Sequence, residues 1–170
     1  MIQKALFGAG CFWGVEEHFR QISGIIKTEV GYSGGNTKNP TYENICTGKS
    51  NHAEVCKIIY DSDTISFEEL LKTFFDSHDP TTLNKQGADI GTQYRSSIFY
   101  VNDDQKKLAE KYKDMLNKSD QFNNAIVTEI TKLDIFYKAE NYHQDYYKNN
   151  PYQPYCRFVI KPKLDKFFKK

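Results

Sequence analysis

The chain has 170 residues, enough for one domain that buries roughly two thirds of the surface its unfolded form exposes. A formal net charge of +1, with acidic and basic residues interspersed, excludes the electrostatic footprint of a nucleic-acid binder. No stretch approaches the roughly 20 apolar residues of a membrane span, and the start, MIQKALFGAG, lacks the apolar core of a signal peptide, so a cytoplasmic protein without membrane contact is expected.

In that compartment Cys11, Cys46, Cys56 and Cys156 are expected to stay reduced. They form no Cys-x-x-Cys pair, so neither a zinc site nor a thioredoxin-type motif is indicated, and no metal is expected. Aromatic residues make up 15% of the chain, so Tyr and Phe must supply much of the core or line a site.

In chain order, Lys4 to Gly8 reads as a short strand and Cys11 to Gln21 as a helix, with Phe12, Val15, Phe19 and Ile22 on one apolar stripe. Trp13 falls instead beside Glu17, Arg20 and Gln21 on the polar side. Ile25 to Gly31 suits a second strand, Gly34 to Gly48 a loop, and His52 to Tyr60 a third strand. Gly34 and Gly35 read as a turn with positive φ.

Ser66 and Glu69 form a capping-box pattern at the start of a helix whose stripe is Leu70, Leu71, Phe74 and Phe75. That helix ends before Pro80. A polar loop from Thr81 to Gly91 leads to a strand over Tyr94 to Val101. Asn102 caps a further helix carrying Leu108, Tyr112, Met115 and Leu116.

Ile126 to Ile130 reads as a strand, Ala139 to Lys148 as a last helical piece and Tyr155 to Ile160 as an extended run. The Lys-rich end, Lys161 to Lys170, reads as a docked segment with a solvated face. Strands and helices mix without strict alternation, which points to an α+β fold: a single domain over residues 1–170, with a mixed β-sheet and flanking helices of the two-layer α/β sandwich type.

Chemistry concentrates at Gly10-Cys11-Phe12-Trp13-Gly14, where a strand turns into a helix. A cysteine in a helix's first turn meets unpaired N–H groups and the positive end of the macrodipole, which can lower its pKa from about 8.5 to roughly 3.5–7.5. Cys11 is therefore expected to ionise and act as a nucleophile, against the plainer reading of a small buried hydrophobe. Trp13 beside it offers a wall for a small pocket.

The GCFWG stretch resembles the active-site motif of the methionine sulfoxide reductase A family. Further similar stretches follow in order: Gly31-Tyr32-Ser33-Gly34-Gly35, Asn39-Pro40-Thr41-Tyr42, His52-Ala53-Glu54-Val55, Asp89-Ile90-Gly91-Thr92-Gln93-Tyr94-Arg95-Ser96 and Tyr142-His143-Gln144. Together they span most of the chain.

The resemblance implies reduction of methionine S-sulfoxide, free or in proteins, by attack of the Cys11 thiolate on the sulfoxide sulfur. It assigns Glu54 as the acid that protonates the leaving oxygen. Tyr42 and Tyr94 would hydrogen-bond that oxygen, Asp89 would polarise or position the site, and Phe12 and Trp13 would hold the methyl group. In strand alternation Glu54 shares a face with Cys56 and Ile58, an apolar setting that raises a carboxyl pKa. The opposite face, with Ala53, Val55 and Ile59, is also partly apolar, so the pattern alone does not choose between them.

The product on the enzyme would be a Cys11 sulfenic acid. The resemblance implies no bound cofactor and an external reductant, thioredoxin or another thiol such as glutathione or glutaredoxin, acting on a monomer. Many relatives use a second cysteine near the C-terminus, and Cys156 holds that position. Glycines that give the tail mobility are missing here, and a strand over Arg157-Phe158-Val159-Ile160 would hold Cys156 away from Cys11, since a disulfide requires Cα atoms within roughly 7 Å. Cys156 thus reads equally as a resolving or a structural cysteine, with Cys46 and Cys56 as further candidates. Two other readings stay open: a thiol hydrolase or transferase with His52 or His143 as base, and a module that binds a methionine-like side chain without turnover.

Overall fold

The computed structural model describes residues 1–169. Its elements in order are β1 (Ile2–Gly8), α1 (Phe12–Arg20), β2 (Ile25–Ser33), α2 (Tyr42–Cys46), β3 (Ala53–Asp61), α3 (Phe67–Asp76), β4 (Lys85–Gln86), β5 (Asp89–Ile90), β6 (Ser97–Tyr100), α4 (Asp103–Asn117), β7 (Glu129–Lys132), β8 (Tyr137–Lys138), α5 (Tyr146–Asn149) and α6 (Lys161–Phe168). Single 3-10 turns lie at Thr92–Tyr94 and Asn141–His143, and a π-helical turn at Cys156–Ile160 leads into α6. Lys170, the last residue of the expected docked segment, lies outside the described residues. Among the described residues no helix is long and apolar enough to cross a membrane.

Six strands form one mixed sheet in the order β7-β6-β1-β3-β2-β8, while β4 and β5 make a separate small hairpin. All neighbours in the large sheet are antiparallel except β6 and β7. The expected mixed sheet with flanking helices is therefore the observed architecture. Side-chain alternation splits β3 between two clusters. Cys56, Ile58 and Tyr60 face the main core beneath α1 and α3, whereas Ala53 and Val55 face a smaller cluster with Leu6 and Phe99. Phe7 is central to the main core, with ring centroids 4.9 Å from Phe74, 5.4 Å from Phe19 and 6.1 Å from Phe67.

Helix starts follow local chemistry. Ser66 Oγ accepts the Glu69 N–H at 3.1 Å, and Asn102 Oδ1 accepts the Gln105 N–H at 2.9 Å. The same chemistry places α2 inside the stretch expected to be loop: Thr41 Oγ1 accepts the Asn44 N–H and Asn44 Oδ1 accepts the Thr41 N–H, a reciprocal cap.

Gly34 takes the expected positive φ of +88°. Gly35 is required for a different reason, because a Cβ there would lie 2.3 Å from Ser50 O. His52 fills the adjacent space, with Nδ1 accepting the Gly35 N–H at 2.9 Å and Nε2 therefore free to donate to Thr37 O at 2.7 Å.

Three further expectations about local structure are corrected. The run Tyr155 to Ile160 is helical rather than extended, because Cys156, Ile160 and Leu164 recur at a helical spacing and bury together against Trp13. Packing outweighs the β-propensity of Phe158, Val159 and Ile160. Pro162 lacks the N–H an α-helix needs, which explains the widened π turn just before it.

The segment from Ala139 to Lys148 is broken into a 3-10 turn and the short α5. Gln144 spans the break: its amide bonds both Val30 O and the Val30 N–H at 2.9 Å, standing in for a strand residue at the β2 edge. Finally, Tyr94 precedes its strand, on the 3-10 turn before β6.

Truncating Phe7 to Ala should destabilise the domain by about 3–5 kcal/mol, because three stacked rings lose their common partner. Urea titration checks this through a lower midpoint, with a slope that stays within error of the parent's.

Candidate active site

Strand β1 ends at Gly8, and Gly10, at φ +92°, turns the chain so that Cys11 becomes the N-cap of α1. The Cys11 carbonyl accepts the N–H groups of Gly14 and Val15 at 3.2 and 3.3 Å. The next donor, Phe12 N–H, reaches across to Glu54 Oε1 at 3.0 Å. One hydrogen bond thus joins the start of α1 to β3.

The position of Cys11 is as expected, but its ionisation is not. Burial pushes the thiol well above its ordinary value, and the charges of Glu54 and Asp89 push in the same direction; hydrogen bonds from the backbone at Trp13 and Gly14 pull it back only in part. The balance of these effects favours the thiol over the thiolate.

Glu54 lies on the β3 face shared with Cys56 and Ile58, directly across from Tyr32 on β2, and only 2% of it is exposed. Burial pushes its carboxyl up to about 8; the Phe12 N–H opposes the rise, and the charge of Asp89 adds to it. It therefore carries a proton at neutral pH.

Tyr42 and Tyr94 are both half-buried and held above the usual tyrosine range, first by burial and then by the charge of Glu54. Each stays a donor. Tyr94 senses Cys11 as well as Glu54 and Asp89, so Tyr42, Glu54, Tyr94, Asp89 and Cys11 form one electrostatic cluster.

Aromatic rings close the site. Phe12 is fully buried against Tyr32 and His143. Trp13, which the helical stripe leaves on the polar side, is half-buried: its indole stacks on Tyr146 with centroids 3.9 Å apart and meets the edge of Tyr155 at 6.1 Å. Indole Nε1 donates to His143 Nδ1 at 2.9 Å, so the His143 proton sits on Nε2 and the ring has no free base nitrogen. His52 is similarly committed to the backbone. The two histidines that a hydrolase would recruit thus serve structural roles.

Sequence reasoning named Cys11, Phe12, Trp13, Tyr42, Glu54, Asp89 and Tyr94, and the fold brings them together. It missed the groups that hold them. Glu140 accepts from Tyr32 Oη at 2.9 Å and from the Tyr42 N–H at 2.8 Å. Burial opposes its charge, but these donors hold its carboxyl below the ordinary value.

Tyr155 Oη donates to Asp89 Oδ2, tying the β4–β5 hairpin to the C-terminal segment. The stretch Tyr142-His143-Gln144 carried the resemblance, and its histidine was read only as a hydrolase base or a structural hydrogen-bonding residue, with no partner named. Tyr155 was overshadowed by the cysteine beside it.

All four cysteines are free. Cys46 is exposed on α2 beside Tyr42. Cys56 packs in the core, as a small apolar residue does, and Cys156 is buried with Ile160 and Leu164. Among the described residues no group of three or more His, Cys, Asp or Glu is placed to hold a metal ion.

A family model described as peptide methionine sulfoxide reductase matches residues 3–170. A peptide methionine sulfoxide reductase MsrA from Vesicomyosocius okutanii is 54% identical over 167 residues, covering 98% of this chain and 99% of the relative. The crystal structure of Mxr1 from Saccharomyces cerevisiae in reduced form superposes with a TM-score of 0.85 at 36% identity, covering 89% of this chain and 87% of that one. Mxr1 in complex with Trx2 gives a TM-score of 0.59 at 27% identity, covering 85% and 84% of the two chains. A match of this extent, at about half identity to a full-length relative, shows that this chain belongs to the peptide methionine sulfoxide reductase family.

Proposed function

We propose that the protein reduces methionine S-sulfoxide, free or within proteins, with Cys11 as nucleophile and Glu54 as acid. The observation that carries this reading is the buried Glu54 carboxyl, still protonated near pH 7 and bonded to the backbone next to Cys11. A sulfoxide oxygen leaves poorly unless protonated, and Glu54 is the carboxyl of the cluster that is placed and protonated to supply that proton.

Phe12 and Trp13 receive the methyl group, while Tyr42 and Tyr94, both held protonated, donate to the oxygen as negative charge develops on it. Asp89 positions the far side of the site through Tyr155. As Cys11 sulfur bonds to the sulfoxide sulfur, Glu54 passes its proton to the oxygen, and the thiol proton restores Glu54. Collapse transfers the hydroxyl to Cys11. Methionine leaves reduced by two electrons, and Cys11 remains as sulfenic acid.

The raised thiol pKa fits this sequence. With Glu54 protonated its charge no longer opposes ionisation of Cys11, and the N–H groups at Trp13 and Gly14 are already aimed at the sulfur. The thiol gives up its proton as the reaction uses one, so no standing thiolate is required.

An external thiol then restores Cys11, and the complex of the yeast relative with Trx2 supports thioredoxin in that role. No bound cofactor takes part in this scheme. In the resting fold Cys156 packs beneath the π turn and serves stability; to act as resolver it would have to leave its cluster.

Cys11→Ser should abolish methionine release in a stereo-resolved assay while circular dichroism stays native; retained turnover would exclude Cys11 as nucleophile. Glu54→Gln should slow the reductive step by at least roughly tenfold, the expected loss for a general acid. The parent rate should fall as pH rises through about 8, where Glu54 loses its proton, and this limb should vanish in Glu54→Gln. Mass spectrometry after one equivalent of sulfoxide without reductant should find sulfenic acid on Cys11; a disulfide to Cys156 would show that the buried thiol does resolve.

A further inference from the structure

A cavity of about 260 Å³ opens onto Cys11 from a direction other than the sulfoxide site. Its floor is a single face of the first helix, where Cys11, Gly14, Val15 and His18 follow the i, i+3, i+4, i+7 spacing. Ile160, Lys163 and Leu164 of the C-terminal segment form its roof. Phe12, Trp13, Tyr42, Glu54 and Tyr94 take no part in its walls; besides Cys11, the two spaces share Asp89 and its partner Tyr155.

The lining is largely apolar, with polar groups from Ser77, Gln86, Asp89 and Tyr155 and two basic side chains, His18 and Lys163. His18 is 3% exposed, and its Nε2 has no hydrogen-bond partner. Burial and the nearby Lys163 hold His18 down to about 4, so the ring is neutral. Lys163 is an exposed residue, yet desolvation lowers its pKa while Asp89 and Cys11 pull it back up. A cation therefore faces the same space as Cys11.

The second half of the reaction calls for an opening of this kind. Substitution at a sulfur proceeds with the incoming and leaving atoms collinear. The oxygen reaches Cys11 from the side of Glu54, Tyr42 and Tyr94, so the S–O bond of the sulfenic acid points back among them. A thiol that displaces this oxygen approaches from the opposite side.

We propose that the cavity is the port through which a small, carboxylate-bearing thiol reaches the Cys11 sulfenic acid, an inference that rests on the sulfenic acid reading above. The thiol sulfur bonds to Cys11 Sγ as the S–O bond breaks, and the hydroxyl leaves with the thiol proton as water. A second thiol molecule then attacks the mixed disulfide, freeing Cys11 as a thiol and releasing the small-molecule disulfide. The two electrons come from the pair of thiols.

Lys163 supplies the counter-charge for the carboxylate, and the unpartnered nitrogen of His18 accepts a hydrogen bond from the entering group. The space lies just below the roughly 300–1,000 Å³ of drug-sized ligand pockets, which suits a small thiol. A protein reductant would have to approach from outside it.

The test separates the two half-reactions. One equivalent of methionine sulfoxide loads Cys11, with released methionine as the readout; mercaptopropionate or mercaptoethanol is then added, and the mixed disulfide on Cys11 is followed by quenched-flow mass spectrometry. Val159→Trp and Ala88→Phe narrow the port from exposed positions on its rim. Both should slow mixed-disulfide formation at least roughly tenfold while leaving the methionine burst at the parent level, which also reports that each variant is folded.

Lys163→Gln should erase the parent's preference for mercaptopropionate over mercaptoethanol. An unchanged thiol step in both rim variants, or a retained preference in Lys163→Gln, would overturn the proposal. So would an internal disulfide that forms in the parent before the added thiol reacts. Absence of a methionine burst in the parent would instead remove the reductase reading beneath it.

Discussion

The site depends on a single hydrogen bond, from Phe12 N–H at the start of α1 to the carboxyl of Glu54 on β3. Two effects compete over that carboxyl. A helix N-terminus favours a negative charge by roughly 0.3–1 kcal/mol, more when partly buried. Burial in an apolar face raises the pKa from an ordinary 4.5 to about 8, a penalty on the charged form on the order of 5 kcal/mol. Desolvation wins, and the carboxyl waits as an acid with one oxygen already committed to the backbone. The bond fixes its direction, while the sheet around it fixes its protonation.

The rest of the site is held by side chains that contact its aromatic walls. Glu140 grips Tyr32 and the backbone of Tyr42, while His143 fixes the indole of Trp13 and packs against Phe12 and Tyr42. Gln144 anchors the same segment to the edge of β2. A short irregular stretch, residues 139–146, thus braces three aromatic walls at once. Glu140, His143 and Gln144 spend side-chain polar groups on other elements, while backbone bonds within the stretch form only the short 3-10 turn.

The sequence was most informative where spacing and capping act locally. The stripe Leu70, Leu71, Phe74 and Phe75 and the cap at Ser66 gave α3 almost residue for residue, and the alternation in β3 correctly paired Glu54 with Cys56 and Ile58. It failed where long-range packing decides. Tyr155 to Ile160 has the composition of a strand, yet no strand partner awaits it and a helical face buries Cys156, Ile160 and Leu164 together. The ionisation of Cys11 was misread for a similar reason: the helix start is visible locally, whereas the desolvation imposed by β3, the hairpin and the C-terminal segment is not. Tyr155 bonding Asp89 links residues 66 apart, and no local pattern announces it.

That protonated sulfhydryl also bears on survival of the catalyst. Peroxides are attacked by thiolates far more readily than by thiols. A methionine-repair enzyme works amid the oxidants that damage methionine, where a permanently ionised cysteine would climb toward sulfinic acid, beyond the reach of ordinary reductants. The surroundings that push the Cys11 thiol pKa up therefore also lower its reactivity toward such oxidants.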